Sequence, residues 1–301
     1  MIVISVGRRQ HYLDIMVLAQ AIAFGLLNGG VYALAASGLA LVFGALNIAN
    51  FAHGDFIMLG MYATFVVSSL LSVDPVVSIL FTVPIFFILG VMVYLGTLHR
   101  IMKAPVLSQV AVTIAVLVLL RNVALTVWGG QPKAVSYTMF SGLVDVGGVS
   151  LPLSRLASAI LSIIALVALE LFLKKTRFGI AIRACADDQE ATSLMGVNTK
   201  WLYSTTFGLG IALTAVAAAL IMTFQEVNPL SGVLYGLLAW VIIALSGTSE
   251  VKGVLAAATI LAIAESLGMF FWDPRGRDLI VYGIFVLILM VRPTGLFGGK
   301  S

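Results

Sequence analysis

The stretch Lys174–Lys200, KKTRFGIAIRACADDQEATSLMGVNTK, is the longest strongly charged segment of the chain. It carries Lys174, Lys175, Arg177, Arg183 and Lys200, with Asp187, Asp188 and Glu190 set between them. The chain before and after it reads as apolar spans. A polar island of this length between apolar runs marks a place where a membrane protein is operated from outside the bilayer.

The rest of the composition makes lipid the solvent. Of 301 residues, 61% are hydrophobic and 10% charged, and the mean hydropathy is +1.11. A soluble domain carries about 25% charged residues, so this chain lacks the polar groups to cover its own surface. The net charge of +4 does not point to nucleic acid, because the basic residues sit in short loops between spans, where the positive-inside rule explains them. The single cysteine, Cys185, excludes an internal disulfide. The N-terminal MIVISVGRRQHYLDIMVL lacks a short apolar core followed by a small-residue cleavage site, and reads as a cytoplasmic head before a first span.

Apolar runs fall at 15–48, 56–73, 76–98, 104–128, 154–173, 201–224, 228–248, 253–272 and 279–291. About 20 residues span the ~30 Å hydrocarbon core. The first run is too long for one span, barely enough for two, and carries Gly29 and Gly30 at its midpoint. The pattern predicts an all-α, polytopic integral membrane helical bundle of nine or ten segments, one of them re-entrant or broken. It forms one domain over 1–301, with a charged loop at 174–200 and an outer loop at 129–153 able to hold a short hairpin. Placing the 174–200 loop, the 99–103 turn, Arg8, Arg9 and the C-terminus on one face collects twelve Lys/Arg there, against four on the other and Arg121 within a span. The excess makes that face cytoplasmic. Both termini are cytoplasmic if the segment number is even, which favours ten.

Small residues recur every fourth position at Ala21, Gly25, Gly29, Ala33 and Ser37, and more weakly at Gly210, Thr214 and Ala218. In a bilayer this spacing lets helix backbones approach closely. Catalytic signatures are missing: there is no HExxH, CxxC or GxSxG, and the terminal Gly298-Gly-Lys-Ser301 is too short for a phosphate loop. No bound cofactor is expected.

Asn47–Asp55, NIANFAHGD, places Asn47, Asn50, His53 and Asp55 between two apolar runs. Such residues are costly against lipid and are tolerated where they face protein or a water-filled cavity. Two readings stay open. One is a capped interfacial turn, with Asn50 as the cap and Asp55 on the helix dipole. The other is part of a substrate path. Arg121 and Glu265 fall in the outer half of the membrane at similar depth, and are expected to face the bundle interior and pair, unless Arg121 snorkels outward. Glu170 is expected to reach the inner interface beside Lys174.

Within the charged loop, acids at Asp187, Asp188 and Glu190 and a glycine at Gly196 mark the start and stop of a short helix. Ala184, Ala191, Leu194, Met195 and Val197 give it an apolar side with nothing in the chain assigned to cover it. It either lies on membrane lipid or inserts into a partner's groove.

Glu190-Ala191-Thr192, three residues and Gly196 resemble the EAA-xxx-G loop of ABC-importer permeases. The string TRFGIAIRACADDQEATSLMGVN, with NGGVYALAASGLALVFGALNIANFAHGDFIMLGMY and RPTGLFG, resembles the LivH-type branched-chain amino acid permeases over nearly the whole chain. One departure stands out. Relatives usually carry a Gly-rich turn such as LGGIGS where this chain has Leu245–Gly253, LSGTSEVKG, with Glu250 and Lys252. The resemblance implies a multi-pass permease of the bacterial inner membrane, working with two ATP-binding subunits. It also implies a second related permease or a copy of itself, and a periplasmic or lipoprotein substrate-binding protein. It makes Arg183, Asp187, Asp188, Glu190, Ala191, Leu194 and Gly196 the residues that couple to the ATPase. The cargo implied is a branched-chain or similar small amino acid, moved by ATP-driven alternating access. Related permeases carry urea or short amides. The rival class is an ATPase-independent secondary transporter or channel, which needs more embedded ionisable residues than His53, Asp55, Arg121 and Glu265 provide. No nucleophile–base or metal spacing supports an enzyme.

Overall fold

The computed structural model describes residues 2–102, 104–271, 277–292 and 294–298. Of the residues counted for orientation, Lys103, Arg275 and Lys300 lie outside these, as do the side chains of Arg8, Arg9 and Arg277. Gly299–Ser301 of the terminal GGKS lie outside them too.

In chain order the elements are α1 (Ile2–Leu46), α2 (His53–Leu71) and α3 (Pro75–Val93), which continues through a π turn (Tyr94–Leu98) into the short α4 (His99–Ile101). Next come α5 (Val106–Trp128), the strands β1 (Leu143–Val146) and β2 (Val149–Pro152), and α6 (Leu153–Lys175). The chain finishes with α7 (Arg177–Asp187), α8 (Gln189–Leu194), α9 (Thr199–Ile221), α10 (Ser231–Ser246), α11 (Val251–Phe271) and α12 (Arg277–Val291). The two strands form the antiparallel hairpin expected in the 129–153 loop. Among the described residues, seven helices are long and apolar enough to cross a membrane, while Ser231–Ser246 and Leu279–Ile288 are apolar but shorter.

The first run is one continuous helix, so neither a break nor a second span occurs there. Gly29 does a different job. A Cβ on Gly29 would lie 2.8 Å from the Cα of Thr259, and one on Gly25 would lie 2.6 Å from the Cα of Ile263. The glycines let α11 rest on the α1 backbone instead of interrupting the helix. The weaker series works likewise, with Gly210 against Gly38 and Ala218 against Gly60. Around α1 pack α6, α9, α10 and α11.

α1 also sets the axis of the molecule. Near its start, Gln20 donates its Nε2–H to the Ser150 carbonyl at 3.3 Å, which ties that end to the hairpin. Near its finish, Gly44 faces Ser249 in the turn before α11. A hairpin end and an opposite α7–α8 end are thereby defined. Asp74 fastens the hairpin end from another side. It caps α3 by accepting the Val76 N–H at 2.7 Å, with Pro75 at the first helical position, and its second oxygen accepts the Met139 N–H at 2.7 Å.

Candidate functional site

The chain between α1 and α2 does not form a surface turn. α1 stops at Asn47, whose left-handed backbone (φ 54) is a usual helix terminator. The chain then climbs back along α1 until His53 donates its Nε2–H to the carbonyl of Ala35 at 2.8 Å. Ala35 lies eleven residues before Leu46, so the return amounts to about 16 Å at helical rise. Ile48, Asn50 and Ala52 are each 1% exposed on this ascent. Irregular backbone at such depth needs internal partners. The Asn50 Oδ1 accepts the Ala52 N–H at 3.1 Å, and Thr113 of α5 donates to the Ala49 carbonyl at 3.2 Å. Asn50 thus turns the loop one step before the helix, and Ala52 takes the N-cap position without a side-chain bond. The reading as a capped interfacial turn is corrected to a buried ascending segment.

That ascent brings two helix N-termini together. α10 begins beside the first turn of α2, since a Cβ on Gly54 would meet the carbonyl oxygen of Gly232 and lie 2.5 Å from the Cα of Gly236. From this meeting point α2 runs toward the hairpin end. α10 runs the other way, with Trp240 stacked on Phe51 at 5.2 Å and edge-on to Phe43 at 5.8 Å. The Asp55 carboxylate sits where they meet: a Cβ on Gly232 would lie 2.8 Å from its Oδ1. Both N-termini offer it the positive end of a helix dipole.

Arg121 of α5 closes the arrangement. Its Nε donates to Asp55 Oδ1 at 3.1 Å and its Nη2 to Oδ2 at 3.2 Å, a two-pronged ion pair. The expected Arg121–Glu265 pair is therefore corrected, because Arg121 is committed to Asp55. Glu265, 2% exposed, instead accepts from the Tyr32 hydroxyl at 3.4 Å. A cation in its electrostatic neighbourhood is Arg155, which lies 5.1 Å from the ring centres of both Phe24 and Phe224. Arg155 was legible only as a charge of the outer loop, since it is the third residue of α6. His53 Nδ1 and Asn50 Nδ2 are buried without a hydrogen-bond partner among the described residues.

The charged loop folds as two helices, not one. Thr176 caps α7 by accepting the Gly179 N–H at 3.0 Å, and α7 buries Gly179, Ile182 and Cys185. Cys185 Sγ lies 3.3 Å from the Tyr203 hydroxyl of α9. At Asp188 the backbone becomes extended and the side chain accepts the Ala191 N–H at 2.9 Å, starting α8. Gly196 follows the last turn with φ 83, a left-handed stop. Leu194 and Met195 are 83% and 84% exposed, so the apolar side of α8 is uncovered by this chain. Asp187, Glu190, Ala191 and Arg183 are exposed as well. Glu170 meets Lys174 at 2.6 Å, as expected.

Comparison with known proteins gives these features a family. The model for "Branched-chain amino acid transport system / permease component" matches residues 21–289. The chain is 29% identical to the high-affinity branched-chain amino acid transport system permease protein BraD of Pseudomonas aeruginosa, over 96% of each chain. It is 30% identical to the LivH permease protein of Escherichia coli, over 91% of this chain and 93% of that one. A probable branched-chain permease of Methanocaldococcus jannaschii is 27% identical over 94% and 92%. No solved structure matches significantly. With the family model covering most of its length, the chain belongs to the permease components of branched-chain amino acid transport systems.

Proposed function

We propose that this protein is the membrane permease subunit of an ABC importer that carries branched-chain amino acids inward across the bacterial inner membrane. ATP is hydrolysed on two partner subunits, a binding protein delivers the cargo from outside, and a second permease or a copy of this chain completes the membrane core. The observation that carries the reading is the capped helix α8, with Leu194 and Met195 bare to solvent, in a chain that a branched-chain permease matches over 96% of its length.

In this reading ATP-driven closure of the partners pushes on α8. The push reaches the spans through α7, because Gly179 lies tight on the backbone of Leu173 in α6 and Cys185 touches Tyr203 in α9. Re-tilting of α6 and α9 then shifts the access of the central path. The helix N-termini that meet at Asp55, with His53, Asn50 and Arg121, form the mid-depth station of that path. The station offers a zwitterion both signs, Asp55 for its ammonium and Arg121 with the two helix N-termini for its carboxylate. Asn47 lies at the inner mouth, and Glu265 with Arg155 lies nearer the hairpin.

We infer nine membrane segments, the seven long helices with α10 and the α12 region. Because α1 crosses once, the termini lie on opposite faces. The 174–200 loop and the C-terminus are cytoplasmic, and the residues before Met16 are external. Ten Lys/Arg then face the cytoplasm against six outside, which keeps the positive-inside excess. Affinity purification of the tagged chain from cells expressing its operon partners tests the reading. It requires ATP-binding subunits to co-purify and ATP-dependent uptake of labelled leucine by the reconstituted complex. Leucine uptake by the chain alone, without ATP, would overturn it.

A further inference from the structure

A cavity of about 160 Å³ opens at the α7–α8 end, between α1, α6, α7 and the start of α11. Its floor is apolar, formed by side chains such as Leu41, Leu173 and Val254. Its rim carries both signs of charge: Glu170 and Glu250, with Lys174, Arg183 and Lys252. Lys174 is held on Glu170 at 2.6 Å, whereas Lys252 stands 3.9 Å from the same oxygen and its side chain is 76% exposed. Lys252 is therefore only loosely paired and open to a ligand. Glu250 and Lys252 come from LSGTSEVKG, the turn that joins α10 to α11.

We propose that this cavity is a cytoplasmic binding site for a small zwitterionic amino acid with an aliphatic side chain, and that its occupation slows the transporter. The α-carboxylate is taken by Lys252 and Arg183, the ammonium by Glu250 and Glu170, and the side chain by the floor. An anionic lipid headgroup fits less well, because the Glu170 and Glu250 carboxylates on the rim repel it. The consequence for transport follows from the walls. Ile182 and Arg183 belong to α7, which leads directly into α8, while the opposite walls belong to α1 and α11. A ligand bridging them fixes α7 against the bundle and resists the movement that the proposed coupling requires. The cargo class rests on the reading under Proposed function.

The test uses the complete transporter in proteoliposomes with its ATPase subunits facing outward, binding protein and labelled leucine enclosed, and unlabelled leucine or valine added on the nucleotide side. ATP hydrolysis by the wild type is expected to fall several-fold at millimolar leucine. In K252M and E250Q the half-inhibitory concentration is expected to rise tenfold or more, about the worth of one charge-assisted contact, with transport in the absence of nucleotide-side leucine unchanged. Leucine transport that ignores leucine on the nucleotide side overturns the site while leaving the permease reading intact. Equal inhibition of the wild type and both variants also overturns it, by placing the inhibition elsewhere. So does a rate that follows the phosphatidylglycerol content of the vesicles and not leucine. If no leucine is transported at all, but leucine binds the complex and K252M weakens that binding tenfold, the site stands and the cargo reading fails.

Discussion

Arg121 grips both oxygens of Asp55 across 66 residues of sequence, and so locks α5 to the point where α2 and α10 begin. Asp55 is 1% exposed and the Arg121 side chain 28%. Removing one partner of such a pair leaves a buried charge uncompensated, at a cost of about 3–5 kcal/mol. Arg121→Ala is expected to fall in this range, because the Asp55 carboxylate it strands is almost fully buried. Asp55→Asn in the same chain should restore part of the loss, since the carboxylate that needs compensation is gone. A double-mutant cycle on thermal unfolding of the detergent-solubilised protein measures this. A coupling near zero would show that the pair contributes nothing net.

Gly54 is predicted to be less replaceable than any residue beside it. A methyl group there would press on the Gly232 carbonyl and on the backbone of Gly236, and backbone cannot swing aside. Overpacking of this kind costs about 1–3 kcal/mol, and it separates the two helix N-termini flanking Asp55. Gly54→Ala should therefore lower both stability and uptake. Gly283→Ala, where nothing lies within 4 Å of the added carbon, should leave both unchanged. Equal uptake by the two variants would remove the close approach from any functional account.

How much of this was legible in the sequence depends on whether the determining contact is local. The start and stop of α8 were readable because Asp188 and Gly196 act on backbone groups a few residues away. The apolar runs were readable for the same reason, as each reports its own environment. The partner of Arg121 was not. Counting along the chain from its loops, on the reading of 47–55 as an interfacial turn, leaves Asp55 at the membrane edge. The buried return along α1 lifts it to the level of Arg121, and only the fold contains that information. The Asp74-Pro75 pair, passed over in the sequence, carries a helix-start signal, while its second role, holding Met139 of the outer loop, needs the tertiary structure.

Gly196 separates two ways in which a coupling helix can fail. Its φ of 83 lies in the left-handed region, yet a Cβ there would meet nothing within 4 Å. A side chain at this position is therefore opposed by conformation and not by crowding, at about 1–2 kcal/mol for a residue that must stay left-handed and more for a β-branched one. Gly196→Val should reshape the end of α8 while the bundle inserts and folds normally. The expected result is ATP hydrolysis that persists without matching uptake. Leu194→Glu should behave differently, weakening co-purification of the ATPase subunits without destabilising the permease, because Leu194 is 83% exposed in this chain. Full transport by both variants would remove α8 from the coupling role.

The direction of α1 can be read chemically. Gln20 bonds the hairpin and Gly44 faces the turn before α11, so a single helix joins the two ends of the molecule. If the α7–α8 end is cytoplasmic, the residues preceding Met16 must emerge outside. Cys185 is the single cysteine in the sequence, and it is buried at 3% exposure, which makes a Cys185→Ser background practical. In that background Ser5→Cys is expected to react with a membrane-impermeant maleimide in cells whose outer membrane alone has been opened. Ser193→Cys, on α8, is expected to react only after the inner membrane is also breached. Labelling of both positions under the same condition would place the two ends of α1 on one face, which an unbroken helix of 45 residues lying against α11 does not allow.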